Sequence, residues 1–511
     1  MSQPDGFTGR ALRAVKWNYI GTVGRIVATL LSQLLLARWL GPETFGVFGY
    51  AFLVVSLAAL VVDLGLAKGA LIQTPDLTDD LIRTSMGRIL LASVAASAAI
   101  YVLSDVIAVD VFRRPDAGPV IAAMAPSIVL TAITAAASAV LTRDIEFRTV
   151  QISGLVAYVL GYLVIGFAAA LWSMGVWSLV LAWYAFSLAS CVALFWYSQR
   201  SLWPANPLRQ LPIAGFGYVV MTTNIVNWFI DNAAHVIIGR SIGATGLGQF
   251  TVANNLLRVP ADNLVRNFQA VLLPLSSRAQ GRDDGLRRAY LTVVAGSAAI
   301  VFPMFAYVAA MAHPFVVVLL GERWLSTEML MAPLCVAMIA HAVEAPVGPM
   351  LAGLGLPRIE LRTKVVTLIA MVGSLTLSAL LGSIVHVAWA LAGVYVLRLV
   401  LMHSALARRL SISLAVYGRT LVGSAILGVV AGAMGVAAGS VFGESTQAPS
   451  ALVALAVGAA LVAISCVGLM MLVPKIVLGP QLLELLAQLA KSKPGLLRIP
   501  GLRRLTGVSA A

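Results

Sequence analysis

Four polar residues, Asn224, Asn227, Asp231 and His235, interrupt the otherwise apolar stretch NIVNWFIDNAAHVIIGR. Their spacing of i, i+3, i+7 and i+11 puts them on one face of a helix. The next segment, GQFTVANNLLRVPADNLVRNFQAVLLP, carries Asn255, Arg258, Asp262, Arg266 and Gln269 on a second shared face, widened by Asn263 and Asn267. Further chemistry-bearing residues sit in apolar runs elsewhere: Arg25 and Gln33, Asp63, His341 and Glu344 within IAHAVEAPVGPM, and Arg398. A guanidinium fork stays charged and matches phosphate oxygens. Side-chain amides both donate and accept, which suits sugar hydroxyls. The substrate-contacting candidates are therefore Arg25, Arg258, Arg266 and Arg398 for phosphate, and Gln33, Asn224, Asn227, Asn254 and Asn255 for sugar or water. Asp231, His235 and Glu344 are the candidates for ion coupling.

Each assignment has a plainer alternative. Arg25 lies near a span end and can snorkel to headgroups. Asp262 and Arg266, at i,i+4, can neutralise one another. Asp63 can be interfacial, His341 a packing residue and Arg398 structural. Four polar groups on one face of Asn224–His235 are best explained as the wall of a water-lined path.

These residues must be positioned by membrane helices. The chain has 511 residues, 60% of them hydrophobic and only 11% charged. Its mean hydropathy is +0.93. Soluble domains carry about 25% charge. Apolar runs of roughly 20 residues, enough to cross a bilayer, recur along the whole length. The expectation is an all-α polytopic membrane protein of about fourteen spans, near 17–39, 46–66, 84–104, 118–140, 152–171, 176–197, 214–238, 246–275, 289–311, 328–352, 364–382, 385–406, 418–441 and 450–473. The first span reads as an uncleaved helix rather than a signal peptide. Pro260 is placed to kink the eighth span, and Pro346 and Pro349 to break the tenth.

Charge placement orients the spans. With the N-terminus inside, and residues in a span's end turns counted with the side they adjoin, 26 of the 35 lysines and arginines fall on the inner side, five outside, and four (Arg25, Arg258, Arg266 and Arg398) within spans. That asymmetry predicts both termini inside. The net charge of +14 then belongs to a cytoplasmic face meeting anionic lipid, not nucleic acid. Cys191, Cys335 and Cys466 lie in separate runs, and the five histidines are scattered. Neither a disulfide framework nor a zinc site is indicated, and no cofactor is expected. No phosphate-binding GxxxxGK[ST] loop is present, so no ATP engine is visible.

LLARWLGPETFGVF (35–48) and VIIGRSIGATGLGQF (236–250) match at an offset of 202: Arg38 with Arg240, Gly41 with Gly243, Gly46 with Gly248, Phe48 with Phe250. Both copies join the first span of a six-span set to the second. The chain then reads as two parallel six-helix lobes, 1–199 and 200–410, two added spans in 411–475, and a basic cytoplasmic tail at 476–511. The tail segment QLLELLAQLAKSKPGLLR could lie flat on the membrane. A two-lobe layout places a substrate site at the repeat interface.

LARWLGPETFG, VVDLGLAKGALIQ and LTRDIEFRTVQISG resemble the polysaccharide-transport family of flippases, which share a superfamily with multidrug MATE exporters and lipid-II flippases. The resemblance implies passage of a polyprenyl-pyrophosphate-linked oligosaccharide across a bacterial inner membrane, for exopolysaccharide, capsule or O-antigen assembly. It also implies alternating access of two bundles around a polar cationic cavity, ion-gradient coupling, and partnership with a polysaccharide polymerase and export machinery. It transfers no role to a single residue, so the site residues rest on the stripes. An ion-coupled drug exporter is the alternative. Cations among the spans disfavour cationic drugs, and short outer loops disfavour a membrane polymerase or ligase.

Overall fold

A computed structural model describes residues 7–63, 78–144, 146–198, 202–207, 214–278, 283–442, 448–479, 482–484 and 487; for 7–20, 214–223, 266–278, 283, 357 and 442 it describes the backbone alone. Among these residues every regular element is helical. In chain order they are α1 (Phe7–Trp39), α2 (Pro42–Val62), α3 (Asp79–Val106), α4 (Gly118–Met124), α5 (Ser127–Arg143), α6 (Phe147–Tyr158), α7 (Phe167–Leu171), α8 (Val176–Tyr197), α9 (Ala214–Ser241) and α10 (Ala244–Arg278). There follow α11 (Asp283–Ala310), α12 (Ala312–Leu319), α13 (Glu328–Glu344), α14 (Val347–Gly353), α15 (Pro357–Ala379), α16 (Ile384–Leu410), α17 (Leu414–Phe442), α18 (Ala448–Leu472) and α19 (Pro474–Val477). Most of the expected tail, 476–511, lies outside the described residues.

Local chemistry sets the helix ends. Thr78 accepts from the Leu81 amide and precedes Asp79 and Asp80, so both a cap and two acids meet the N-terminal dipole of α3. Ser383 caps α16 through the Val385 amide. Pro42 and Pro357 open α2 and α15, where a missing N–H costs nothing. The expected break at Pro346 separates α13 from α14, whereas Pro349 lies within α14 and does not break it. The stretch read as one span at 118–140 is built of two helices, bent by 44° across Ala125–Pro126. The ring of Pro126 admits no donor there, and the chain turns. α10 runs through Pro260 without a break.

Ten described helices are long and apolar enough to cross a membrane, or eleven with the bent pair as one span. Large apolar side chains such as Val102, Leu380 and Ile464 are left exposed along them. In water these would be unfavourable; in lipid they are the solvated face. Trp172 and Trp196, more than three-quarters exposed, stand at the ends of their helices, a position that suits an amphipathic ring at a membrane–water boundary.

The chain separates into two compact units, Met1–Val252 and Ala253–Ala511, the division falling within α10. In the first unit small residues let backbones approach. A π-helical segment, 159–166, presents Gly161 to α8, and a Cβ there would lie 2.7 Å from the Ala182 carbonyl oxygen. The start of α2 also meets the start of α10. A Cβ on Gly46 would collide with the Ala244 carbonyl, and one on Gly248 with the Pro42 carbonyl. Beside this crossing the Tyr50 hydroxyl donates to Gly239 O at 2.8 Å. The Arg240 guanidinium donates to Asp110 O at 2.7 Å and to Val111 O.

In the second unit α11, α13, α16 and α17 enclose a core that includes Leu286, Val294, Val343, Met350 and Leu406. Polar groups are embedded in it. His403 stacks between Tyr290 and Tyr417, and its Nδ1 is 3.0 Å from the Tyr290 hydroxyl.

Candidate functional site

The second unit brings charged residues together on three helices. One turn of α10 offers Arg258, whose Nε lies 3.4 Å from Asp262 Oδ2. The other Asp262 oxygen, Oδ1, lies 2.9 Å from His341 Nε2 of α13. The side chains of Arg258, Asp262 and His341 are 25%, 29% and 14% exposed, so the cluster is open to its surroundings. The helical period places Asn255 on the same face, one turn before Arg258, and it is exposed; Asn254 is buried, at 6%. Adjacent residues on a helix point about 100° apart, so these two amides cannot share one surface. The side chain of Arg266 lies outside the described residues.

A second pair lies deeper. Arg398 Nη2 of α16 is 3.2 Å from Glu344 Oε2 and 3.3 Å from Oε1, and the Glu344 side chain is 4% exposed. A carboxylate this buried needs a counter-charge, and the arginine supplies it. The phosphate candidate Arg398 and the ion-coupling candidate Glu344 are thus one ion pair. His341 and Glu344 are one turn apart on α13, so the pair stands next to the Arg258–Asp262–His341 cluster.

The first unit holds the other candidates. Asn224 and Asn227 are half-buried on α9 and Asp231 is exposed. The ring of His235 meets Phe250 edge-on at 5.0 Å. Between the two asparagines' helix and α2, Trp228 Nε1 donates to Ser56 Oγ at 3.1 Å. The Gln33 amide donates to Val252 O at 3.1 Å, so this residue ties α1 to α10. Arg25 is exposed on α1 and acts electrostatically on Tyr158, whose hydroxyl meets Ser32 Oγ at 3.2 Å.

Asp262 and His341 were not among the substrate or ion-coupling candidates. The signal was present: Asp262 lies in the polar face of its segment, and His341 precedes Glu344 by three residues. Their pairing across 79 residues was not readable from spacing. Among the described residues no group of three or more His, Cys, Asp or Glu is arranged to hold a metal. Cys191, Cys335 and Cys466 are free and buried.

An all-helical chain with ten or eleven described spans, apolar faces left exposed and ion pairs between its helices is the architecture of a multi-pass membrane protein. Solved structures share its fold. A lipid II flippase, MurJ, in an inward closed conformation superimposes with a TM-score of 0.71 at 10% identity, over 88% of this chain and 98% of that one. An inward-facing MATE-family multidrug resistance transporter of the MOP superfamily gives 0.61 at 14% identity, over 75% and 94%. Residues 35–329 match the family described as polysaccharide biosynthesis protein, and the chain belongs to that family.

Relatives span most of its length. The lipopolysaccharide biosynthesis protein WzxC of Escherichia coli (strain K12) is 24% identical over 67% of this chain and 70% of its own. The succinoglycan biosynthesis transport protein ExoT of Rhizobium meliloti (strain 1021) is 23% identical over 73% and 75%. The teichuronic acid biosynthesis protein TuaB of Bacillus subtilis (strain 168) is 23% identical over 83% and 89%. The protein is a multi-pass membrane protein of the polysaccharide biosynthesis family, with a fold shared by MurJ and a MATE-family transporter.

Proposed function

We propose that this protein is a flippase that carries a polyprenyl-pyrophosphate-linked oligosaccharide across the bacterial inner membrane by alternating access, for exopolysaccharide, capsule or O-antigen synthesis. The observation that carries the reading is Arg258, a partly exposed guanidinium midway along a long helix in a family of polysaccharide proteins. A cation held at that depth costs about 2.5–3.5 kcal/mol on insertion scales; Asp262 offsets part of that, and the partial exposure of the pair supports a water-filled path that an anion can enter. The diphosphate is the anion of such a cargo, with Arg25, Arg266 and Arg398 as further cations along its way. Amides of Asn224, Asn227 and Asn255 serve its sugars, while the buried Asn254 and Gln33, tied to Val252 O, hold the helices behind them. Asp231, His235 and Glu344 are the groups through which an ion gradient would couple.

The topology belongs to the same proposal. Joining the long helices α1, α9 and α10 to the eleven spans gives fourteen. Both termini are inside, with lobes of 1–199 and 200–410, two added spans in 411–475 and a basic tail at 476–511 against anionic lipid. A polymerase and export machinery consume the cargo on the outer side. The test is Arg258→Ala, with membrane expression confirmed, in vesicles loaded with labelled lipid-linked oligosaccharide. Flipping falls severely if Arg258 holds the diphosphate; an unchanged rate removes that role.

A further inference from the structure

Resting on that reading, we propose that the Arg258 site is proton-linked: His341 takes up a proton when a diphosphate anion binds at Arg258, so the two load together. Asp262 is the shared element, lying between Arg258 (3.4 Å) and His341 (2.9 Å) with one oxygen for each. With a neutral imidazole the three groups sum to zero charge, and the carboxylate is the counter-ion of Arg258. A protonated imidazole raises the sum to +1 and gives Asp262 a second full cation to balance. The guanidinium is then less occupied by its carboxylate, and an arriving anion meets one more positive charge. Linkage requires the converse, that a bound anion raises the proton affinity by the same factor.

The seat for the proton is identifiable. Nε2 of His341 is engaged by Asp262, which leaves Nδ1, buried and without a hydrogen-bond partner. Two neighbouring polar groups have partners of their own. Glu344, on the same helix as His341, is held by Arg398 of α16 at 3.2 Å. From α16 the Tyr395 ring meets the imidazole edge-on at 5.8 Å, presenting no charge. From α11 the hydroxyl of Tyr290 is spent on His403 Nδ1 at 3.0 Å. The charge gained by His341 is felt at Asp262, which it touches, and through that carboxylate at Arg258 of α10. An exchange site, where a proton displaces the cargo from a carboxylate, would show the opposite sign.

The experiment measures binding of UDP-glucose, a soluble diphosphate diester whose phosphates stay ionised, to the purified full-length protein. Affinity is read by calorimetry at about pH 5.5 and about pH 8, which bracket the range where imidazoles titrate. The expected result is roughly tenfold tighter binding at the lower pH, within the ~5–150-fold range of single couplings. Repeating the titration in two buffers of different protonation heat shows net proton uptake on binding. His341→Gln keeps an N–H for Asp262 and loses the titration, so its affinity is equal at both pH values. The inference is overturned if wild-type affinity is the same at both, or if no proton is taken up, or if His341→Gln keeps the dependence. The underlying reading fails separately, if UDP-glucose does not bind at either pH or binds Arg258→Ala as well as wild type.

Discussion

Replacing Gly46 or Gly248 with alanine tests how closely α2 and α10 meet at their starts. A Cβ on Gly46 would overlap the Ala244 carbonyl oxygen and lie 2.8 Å from Ala244 Cα. One on Gly248 would overlap the Pro42 carbonyl oxygen and lie 2.7 Å from its carbon. Carbon atoms in contact prefer ~3.5–4.0 Å, so the two backbones must part by roughly 1 Å or more. The obstructing atoms are main chain, which cannot rotate away as a side chain would. Overpacking of this kind costs about 1–3 kcal/mol. The separation would also stretch the Tyr50–Gly239 hydrogen bond beside the crossing.

Both glycines occupy one crossing, so the gap opened by the first alanine accommodates the second. The double variant should therefore lose about as much as either single one, far from additively. Gly393→Ala in α16 is the control, because nothing lies within 4 Å of its new methyl group. Alanine there gains ~1 kcal/mol of helix propensity. The assay is thermal unfolding in detergent, followed by tryptophan fluorescence, with flipping measured in parallel. Wild-type melting of Gly46→Ala and Gly248→Ala, or strictly additive losses, would refute the close-crossing account.

Two further outcomes follow from the same geometry. Glu344→Gln leaves the Arg398 guanidinium without its buried counter-charge and should cost about 3–5 kcal/mol, whereas pairing Glu344→Leu with Arg398→Met should recover much of the loss in thermal unfolding. Trp228→Phe removes the indole donor to Ser56 while keeping most of the ring, and should cost about 1 kcal/mol with its own melting shift as the readout.

Much of this protein is decided by short-range chemistry that composition displays. Uninterrupted apolar runs must become helices in lipid, because only then is every backbone N–H and C=O satisfied. Glycine at 46 and 248, prolines at 42 and 346, and the capping Thr78 and Ser383 mark helix ends or close approaches by properties of the residue itself. The polar faces of α9 and α10 follow from helical period alone.

Partner choice follows a different rule. Asp262 was legible as charged and on a polar face, yet its i,i+4 neighbours Arg258 and Arg266 gave no reason to look to His341, 79 positions away. Arg398 and Glu344, 54 positions apart, were read as separate functional groups, and the packing of α13 against α16 makes them one pair. Helical period tells which residues share a surface; only the packing of one helix on another tells what that surface faces. Charge in a low-dielectric interior is governed by its nearest neighbours, so the electrostatic identity of the site was created by tertiary structure.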